Sequence, residues 1–331
     1  MLSSVLRRLF SHVIVHVTNR CDLRCATCFV TKGQSDLTLT QARTLGSKLG
    51  AIQWLDIGGG EPFLHSDLPG ICGAFHWKSL TIPTNGQQPD VICRTVRSLL
   101  EMKKPITIAL SLDGFQETND AIRGAGSFAK ALETFHGLRA VPEITLKINT
   151  VVSDRNLEGL TAFMGYVRES LQPDYHSLLL LRGFPSCSGI HLPPAGHLRA
   201  RTQEILSILA TYIFRESNPM LRRMKQRYQR YLWNVSLATV ENRQCYVPCR
   251  APIVHRVIYP DGRVAMCELT EPVGNLLDEP LAVIDRKLSE AFVGIEQCKG
   301  ACYCTHNCNM GENILMHPRS VAKIILGRTD A

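Results

Sequence analysis

Apolar and polar residues alternate along the first half of the chain in a repeated beat. Runs with the two-residue period of strands fall at 13–17, 52–57, 79–83, 106–112, 144–152 and 175–182. Between them lie amphipathic stretches with the 3.6-residue period of helices, at about 40–50, 67–77, 89–102, 126–140 and 156–171. Strands alternating with helices of this length predict right-handed βαβ units around a parallel sheet. Six repeats favour a barrel-like closure over an open doubly wound sheet, although periodicity alone does not separate the two. In barrels of this kind chemistry collects at the C-terminal ends of the strands, so the loops that follow each strand are the places to look for function.

The beat stops at Gly189–Gly196, a stretch rich in proline and glycine that reads as a boundary. A long helical pattern follows over about 197–240, and its middle carries Arg215, Arg222, Arg223, Lys225, Arg227 and Arg230 against the single acid Glu216. Such a run is ordinarily a solvated helix face; a docking surface for an anionic substrate or peptide is the alternative. Farther on, Ile258–Val264 reads as a hairpin with Asp261-Gly262 in its turn. These breaks divide the chain into a core at 10–190, a basic helical linker at 191–243 and a small C-terminal domain at 244–318.

Composition narrows the class. Of 331 residues 45% are apolar, enough for a large core, and no apolar run reaches the eighteen residues of a membrane span. There are 13 cysteines, all but Cys72, Cys93 and Cys187 lying within Cys21–Cys28 or Cys245–Cys308. That clustering, with no secretory signal, predicts metal binding in a reducing cytoplasm rather than disulfides; the three outlying cysteines are expected to pack. Met1–Phe10 reads as a helical lead-in. The net charge of +8 suits an anionic partner, but no nucleic-acid motif accompanies it.

The densest chemistry is Cys21-Asp22-Leu23-Arg24-Cys25-Ala26-Thr27-Cys28, on the loop that Thr18-Asn19-Arg20 opens after the first strand. Three thiolates there can hold three irons of a cubane cluster and leave the fourth iron without a protein ligand, whereas clusters that only pass electrons take four cysteines. Structural zinc, which wants four ligands in paired spacings, and three unligated core cysteines are the plainer alternatives. The C-x3-C-x2-C spacing after a first strand resembles the radical S-adenosylmethionine (SAM) superfamily. The usual aromatic before the third cysteine is replaced by Thr27, and Phe29 follows instead.

Further segments support the resemblance. Gly58-Gly59-Gly60-Glu61-Pro62 after the second strand resembles the family's GGEP motif, which holds the SAM amino group. Thr84-Asn85-Gly86 is similar to its TNG element beside the ribose. Ser111 at the end of the fourth strand, Arg123 in Ala121-Ile122-Arg123-Gly124 and Asn149 on the fifth strand complete the set the resemblance points to. It covers roughly residues 10–185 and implies a partial six-unit β/α barrel. The cofactor contacts it implies are Gly59, Gly60, Glu61, Asn85, Ser111, Arg123 and Asn149, and the 4Fe–4S ligands Cys21, Cys25 and Cys28.

The C-terminal piece Cys249-x12-Gly262-x4-Cys267 matches the opening of the SPASM extension of such enzymes, which carries auxiliary 4Fe–4S clusters. The continuation Cys298, Cys302, Cys304, Cys308 departs from the SPASM spacing, and no cysteine follows in this sequence. One auxiliary cluster, as in the shorter twitch-type extension, is therefore expected, on Cys249 and Cys267 with Cys304 and Cys308, or with Cys298 or Cys302 in place of either. A structural zinc site is the alternative, and His306 is expected beside the ligands or at the surface. The resemblance implies a reduced cluster that cleaves SAM to methionine and a 5′-deoxyadenosyl radical, an external reductant such as flavodoxin or ferredoxin, and hydrogen abstraction from a peptide. The alternatives are a small metabolite, sugar or lipid precursor as substrate, or a non-catalytic metal scaffold or electron carrier.

Overall fold

The computed structural model describes residues 10–297, 303 and 305–330; most of the expected lead-in, with Cys298, Cys302 and Cys304, lies outside them. Strands β1 (His12–Thr18), β2 (Ala51–Gly59), β3 (His76–Thr84), β4 (Ile106–Ser111), β5 (Thr145–Val152) and β6 (Tyr175–Leu180) pair in chain order, all parallel. Three more strands, β7 (His255–Ile258), β8 (Arg263–Ala265) and β9 (Gly274–Asn275), extend the same sheet. Its order is β6-β5-β4-β3-β2-β1-β7-β8-β9, with β7 parallel to β1 and the last two pairs antiparallel. Among the described residues the sheet does not close, as a partial barrel requires.

Alternation gives the sheet two unlike faces. Val13, Val15 and Val17, Leu55 and Ile57, Leu80 and Ile82, Ile108 and Leu110, and Leu146 and Ile148 all join one continuous apolar core. Their neighbours in the strands, His12, His16, Asp56, Thr81, Ser111, Lys147, Asn149 and Ser177, occupy the opposite, inward face. Each fully buried aliphatic side chain on the outer face contributes about 1.5–3 kcal/mol. The strands are thus held by their outer side, leaving the inner side available for polar groups.

The helices of the repeats begin on local signals. Thr38 and Gln41 form a reciprocal cap at the start of the helix Leu39–Leu49, and Asp67 Oδ1 accepts from Gly70 N at 3.0 Å before Leu68–Gly73. That second helix is shorter than its pattern predicts. Trp77 instead belongs to β3, buried, with its Nε1 donating to Cys72 O at 2.9 Å. A helix at Gln116–Arg123 escaped the sequence reading; it is only eight residues long and ends at Gly124 with φ 127°. The expected continuous helix over 197–240 is two, Ala195–Leu209 and Pro219–Asn242. Phe214 and Arg215 adopt left-handed backbone (φ 53° and 51°), and Asn218 Oδ1 restarts the helix by accepting from Met220 N at 2.9 Å. The hairpin turn is as expected, with Gly262 at φ 86°. Cys72 lies in the apolar core, and its burial pushes the thiol up to about 12, in keeping with a packing role.

Gly46 marks the closest helix contact: a Cβ there would sit 2.0 Å from Ala74 O, while at Gly165 it would meet nothing within 4 Å. Gly46→Ala should destabilise the protein by about 1–3 kcal/mol, seen as a lower midpoint in chemical denaturation. Gly165→Ala should instead stabilise it by up to about 1 kcal/mol through helix propensity. Equal midpoints for the two variants would contradict this packing.

Candidate active site at the C-terminal strand ends

The cysteine loop leaves β1 at Thr18 and is fastened on every side. Asp36 accepts from Thr18 Oγ1 at 2.5 Å and from Arg20 Nε at 3.0 Å, and a further Arg20 nitrogen donates to Leu64 O at 2.7 Å. Ala26 N donates to Ile122 O at 2.7 Å, Ser186 N to Cys28 O at 2.8 Å and Ser186 Oγ to Cys25 O at 2.9 Å. The helix missed in the sequence and the loop after β6 are therefore what hold the three thiols in place. Cys187, expected only to pack, also takes part, its N–H donating to Ala26 O at 3.3 Å.

The glycine run packs against this loop from the other side. A Cβ on Gly59 (φ 108°) would lie 2.2 Å from Thr18 O, and one on Gly60 would lie 1.9 Å from Arg20 O. Gly60 N and Glu61 N donate to those same carbonyls at 2.8 Å. Glycine is required here by the approach of backbone to backbone one residue before Cys21. The Glu61 side chain is buried and turned toward the next loop, accepting from Thr84 Oγ1 at 2.8 Å, Asn85 N at 2.7 Å and Phe63 N at 3.3 Å. Burial pushes its carboxyl up to about 7 in spite of these donors. Asn85 in turn donates from Nδ2 to Asp22 Oδ1 at 2.6 Å and lies 3.9 Å from Cys21 Sγ.

On the far side, Arg123 Nε lies 2.8 Å from Asp113 Oδ2 and Arg123 Nη1 lies 3.9 Å from Cys25 Sγ. The carboxylate that this arginine meets is the chain's own buried Asp113, which the sequence reading did not single out. Lys32, also missed, stands beside Cys21 and Cys28; partial burial opposes its charge, but the two thiolates raise its pKa. Burial raises the Cys25 thiol, with Arg123 acting against it. Ser111 and Asn149 are register partners on β4 and β5. Asn149 Oδ1 is buried with no hydrogen-bond partner among the described residues.

These features fit a cluster better than a single ion. Ligands of one zinc lie within about 4.6 Å of one another, twice the Zn–S length. Among the described residues the one such group of three is His12, Asp56 and Cys308, so the Cys21, Cys25 and Cys28 sulfurs are spread more widely. Three thiolates with two adjacent cations form a rim that can hold an iron–sulfur cluster and a polar cofactor.

The C-terminal segment meets this rim through Glu268, one residue after the buried Cys267. Glu268 lies 2.7 Å from Arg182, 3.3 Å from His16 and 3.5 Å from His306. Although burial opposes it, these groups hold the Glu268 carboxyl far below the usual carboxylate range. His306 is accordingly buried against Glu268 and is not a surface residue. A cavity of about 410 Å³ opens here, lined by His16, Phe29, Phe184, Tyr259 and Glu268. Cys249 is half-buried, while Cys308 lies on the inward face of the barrel, 3.5 Å from Asp56. The basic residues are partly consumed by structure: Lys225 pairs with Glu216 at 3.0 Å and Arg227 donates to Ile325 O at 2.6 Å.

No protein-family model matches the chain. It is 32% identical over 157 residues to the mycofactocin maturase MftC of Mycobacterium ulcerans, a match covering 44% of this chain and 41% of the maturase. The chain thus aligns with less than half the length of that relative. In fold it is similar to anSMEcpe with bound AdoMet (TM-score 0.62, 14% identity, 96% of this chain and 98% of that one). It is also similar to Streptococcus suis SuiB bound to its precursor peptide SuiA (TM-score 0.60, 18% identity, 86% and 66%). With three cysteines after β1, the glycine loop after β2 and the Asn85 loop after β3 on one partial β/α barrel, the chain resembles the radical SAM superfamily, in sequence over 157 residues and in fold over most of its length.

Proposed function

We propose that the chain cleaves SAM reductively and uses the product to modify a peptide. The observation that carries the reading is the rim itself: Cys21, Cys25 and Cys28 locked in place, with Asn85 and Arg123 against their sulfurs. When bound, a 4Fe–4S cluster and SAM supply one-electron cleavage to methionine and a 5′-deoxyadenosyl radical that takes hydrogen from an unactivated C–H bond. The residues of the chain do the holding. Lys32 and Arg123 offset the charge of the thiolates, and Gly59 and Gly60 present backbone where no side chain intervenes. Ser111 at the end of β4 and Asn149, its register partner within β5, offer polar atoms to the ribose or carboxylate of SAM.

The cavity beside Phe29 and Glu268 is where a substrate would approach the rim, and the precursor peptide in the SuiB structure makes a peptide the favoured class. One auxiliary cluster would draw on Cys249 and Cys267 with ligands from the later cysteines, and electrons would come from a flavodoxin- or ferredoxin-type donor. No helix among the described residues is long and apolar enough to cross a membrane.

Three outcomes test this reading. Reduced, anaerobic protein should convert SAM to 5′-deoxyadenosine; replacing Cys21, Cys25 and Cys28 by Ala should abolish that while iron remains at the C-terminal cysteines. Cleavage by the triple variant would refute the assignment.

Gly60→Ala should lower iron content and SAM affinity together, because its Cβ would strike the carbonyl preceding Cys21. Loss of SAM affinity with full iron occupancy would show that the glycine serves the ligand alone.

Glu61 has a folded pKa of about 7, above its ordinary 4.5. Its contribution to stability is therefore full below about pH 4.5 and is lost as pH rises through about 7. In cluster-free protein, Glu61→Gln should remove this part of the pH dependence of the denaturation midpoint, and parallel curves for variant and parent would contradict it.

A further inference from the structure

Toward the N-terminal ends of the strands, away from the rim, three side chains of different chemistry converge on the inward face. They are His12 on β1, Asp56 on β2 and Cys308 in the first turn of the helix Asn307–Leu315, with one ligand atom from each within 4.8 Å of the others. His12 Nε2 is 3.1 Å from Asp56 Oδ2, and Cys308 Sγ is 3.5 Å from the same oxygen. Ordinary Zn–N, Zn–O and Zn–S bonds at tetrahedral angles give N···O and S···O edges of about 3.4 and 3.6 Å, close to this arrangement.

Two further observations point the same way. His12 is 6% exposed, and its Nε2, though beside Asp56, lacks hydrogen-bond geometry to any described residue. Its other nitrogen, Nδ1, is hydrogen-bonded to Glu312 Oε1. A carboxylate on the far nitrogen is what fixes the tautomer and orientation of a metal-bound imidazole. Glu312 follows Cys308 by one helical turn, so a single helix delivers both groups. All four residues border a cavity of about 570 Å³ between the sheet and the helix Pro219–Asn242.

We propose that His12, Asp56 and Cys308 bind a single zinc ion, with Glu312 as the positioning residue of His12 and a fourth coordination position turned to the cavity. A thiolate and a carboxylate cancel the charge of the ion. Lys147 and the Glu312 carboxylate, both on the same wall, offset one another, which suits water or another neutral donor as the fourth ligand. The site lies apart from the cysteine rim and stands whether or not the SAM reading does; it withdraws Cys308 from the auxiliary cluster and leaves the other C-terminal cysteines to it. The competing state is metal-free, with the Cys308 thiol donating to Asp56. In that state burial opposes charge on His12, yet Asp56 and Glu312 push its pKa up to about 10.

The test is zinc and iron per chain in anaerobically purified protein after incubation with zinc, for the parent, Asp56→Asn, Cys308→Ser and Cys249→Ser. Zinc should approach one per chain in the parent and in Cys249→Ser and fall at least about tenfold in the other two, with iron unchanged; Glu312→Gln should weaken zinc binding by about 10–100-fold in chelator competition. Zinc kept in Asp56→Asn and Cys308→Ser but lost in Cys249→Ser would place it at the auxiliary cysteines and overturn the proposal, as would a parent protein that takes up none. Should the variants not fold, cobalt titration of the parent decides: one thiolate gives a weak sulfur-to-cobalt charge-transfer band, while a cysteine-rich site gives one several-fold stronger and refutes the assignment.

Discussion

The structure depends on a sheet whose two faces have opposite chemistry. Val13, Val15 and Val17 and their equivalents on β2–β5 carry the helix layer on the outer side. Hydrophobic burial is thereby complete without the interior, and the inner positions are released from packing. A closed barrel normally fills its centre with branched aliphatic residues. Here the same positions hold His12, His16, Asp56, Lys147 and Asn149, which is affordable only because ion pairs and hydrogen bonds meet most of them. Asn149 Oδ1 stands out because, among the described residues, it has no hydrogen-bond partner, and His12 Nε2 because it has only the charge of Asp56 beside it.

The rim is an extension of that arrangement. Its parts come from successive strand ends, and each is tied to the next by hydrogen bonds: Gly60 and Glu61 to the loop of Cys21 through backbone, Asn85 N to the Glu61 carboxylate, and the Asn85 side chain to Asp22. The cysteine loop is therefore one member of a ring of loops. Its geometry is set by glycine contacts and a buried carboxyl as much as by the thiols.

Much of this was legible in the chain. The alternation placed the first six strands, because each presents one continuous apolar face, and cysteine spacing with glycine and Asn-Gly signals located the rim. What escaped had no local period. Asp113 and Lys32 belong to no motif of their own; each acquires its role from a partner brought near by the fold. The join of β7 to β1 was invisible for the same reason, since four residues carry no periodicity long enough to announce a strand. His12 and Asp56 sat at the inward positions of their strands, but their meeting with Cys308 and Glu312 depends on a helix from the far end of the chain. Helix breakage at Phe214 and Arg215 was hidden because neither residue is a customary left-handed one.

The pairing of β7 with β1 has a consequence for how the molecule is made. β1 emerges from the ribosome early and finds β2 soon after, yet its other edge waits until residues 255–258 have been synthesised. Until then the strand that leads into Cys21 has unsatisfied amides and carbonyls along one side. Such an edge is an invitation to pair with a neighbouring chain, and contacts this distant in sequence form late. The strand that leads into the cysteine loop is thus completed only by the C-terminal segment, so the interval between the two is when the nascent chain is most exposed to aggregation.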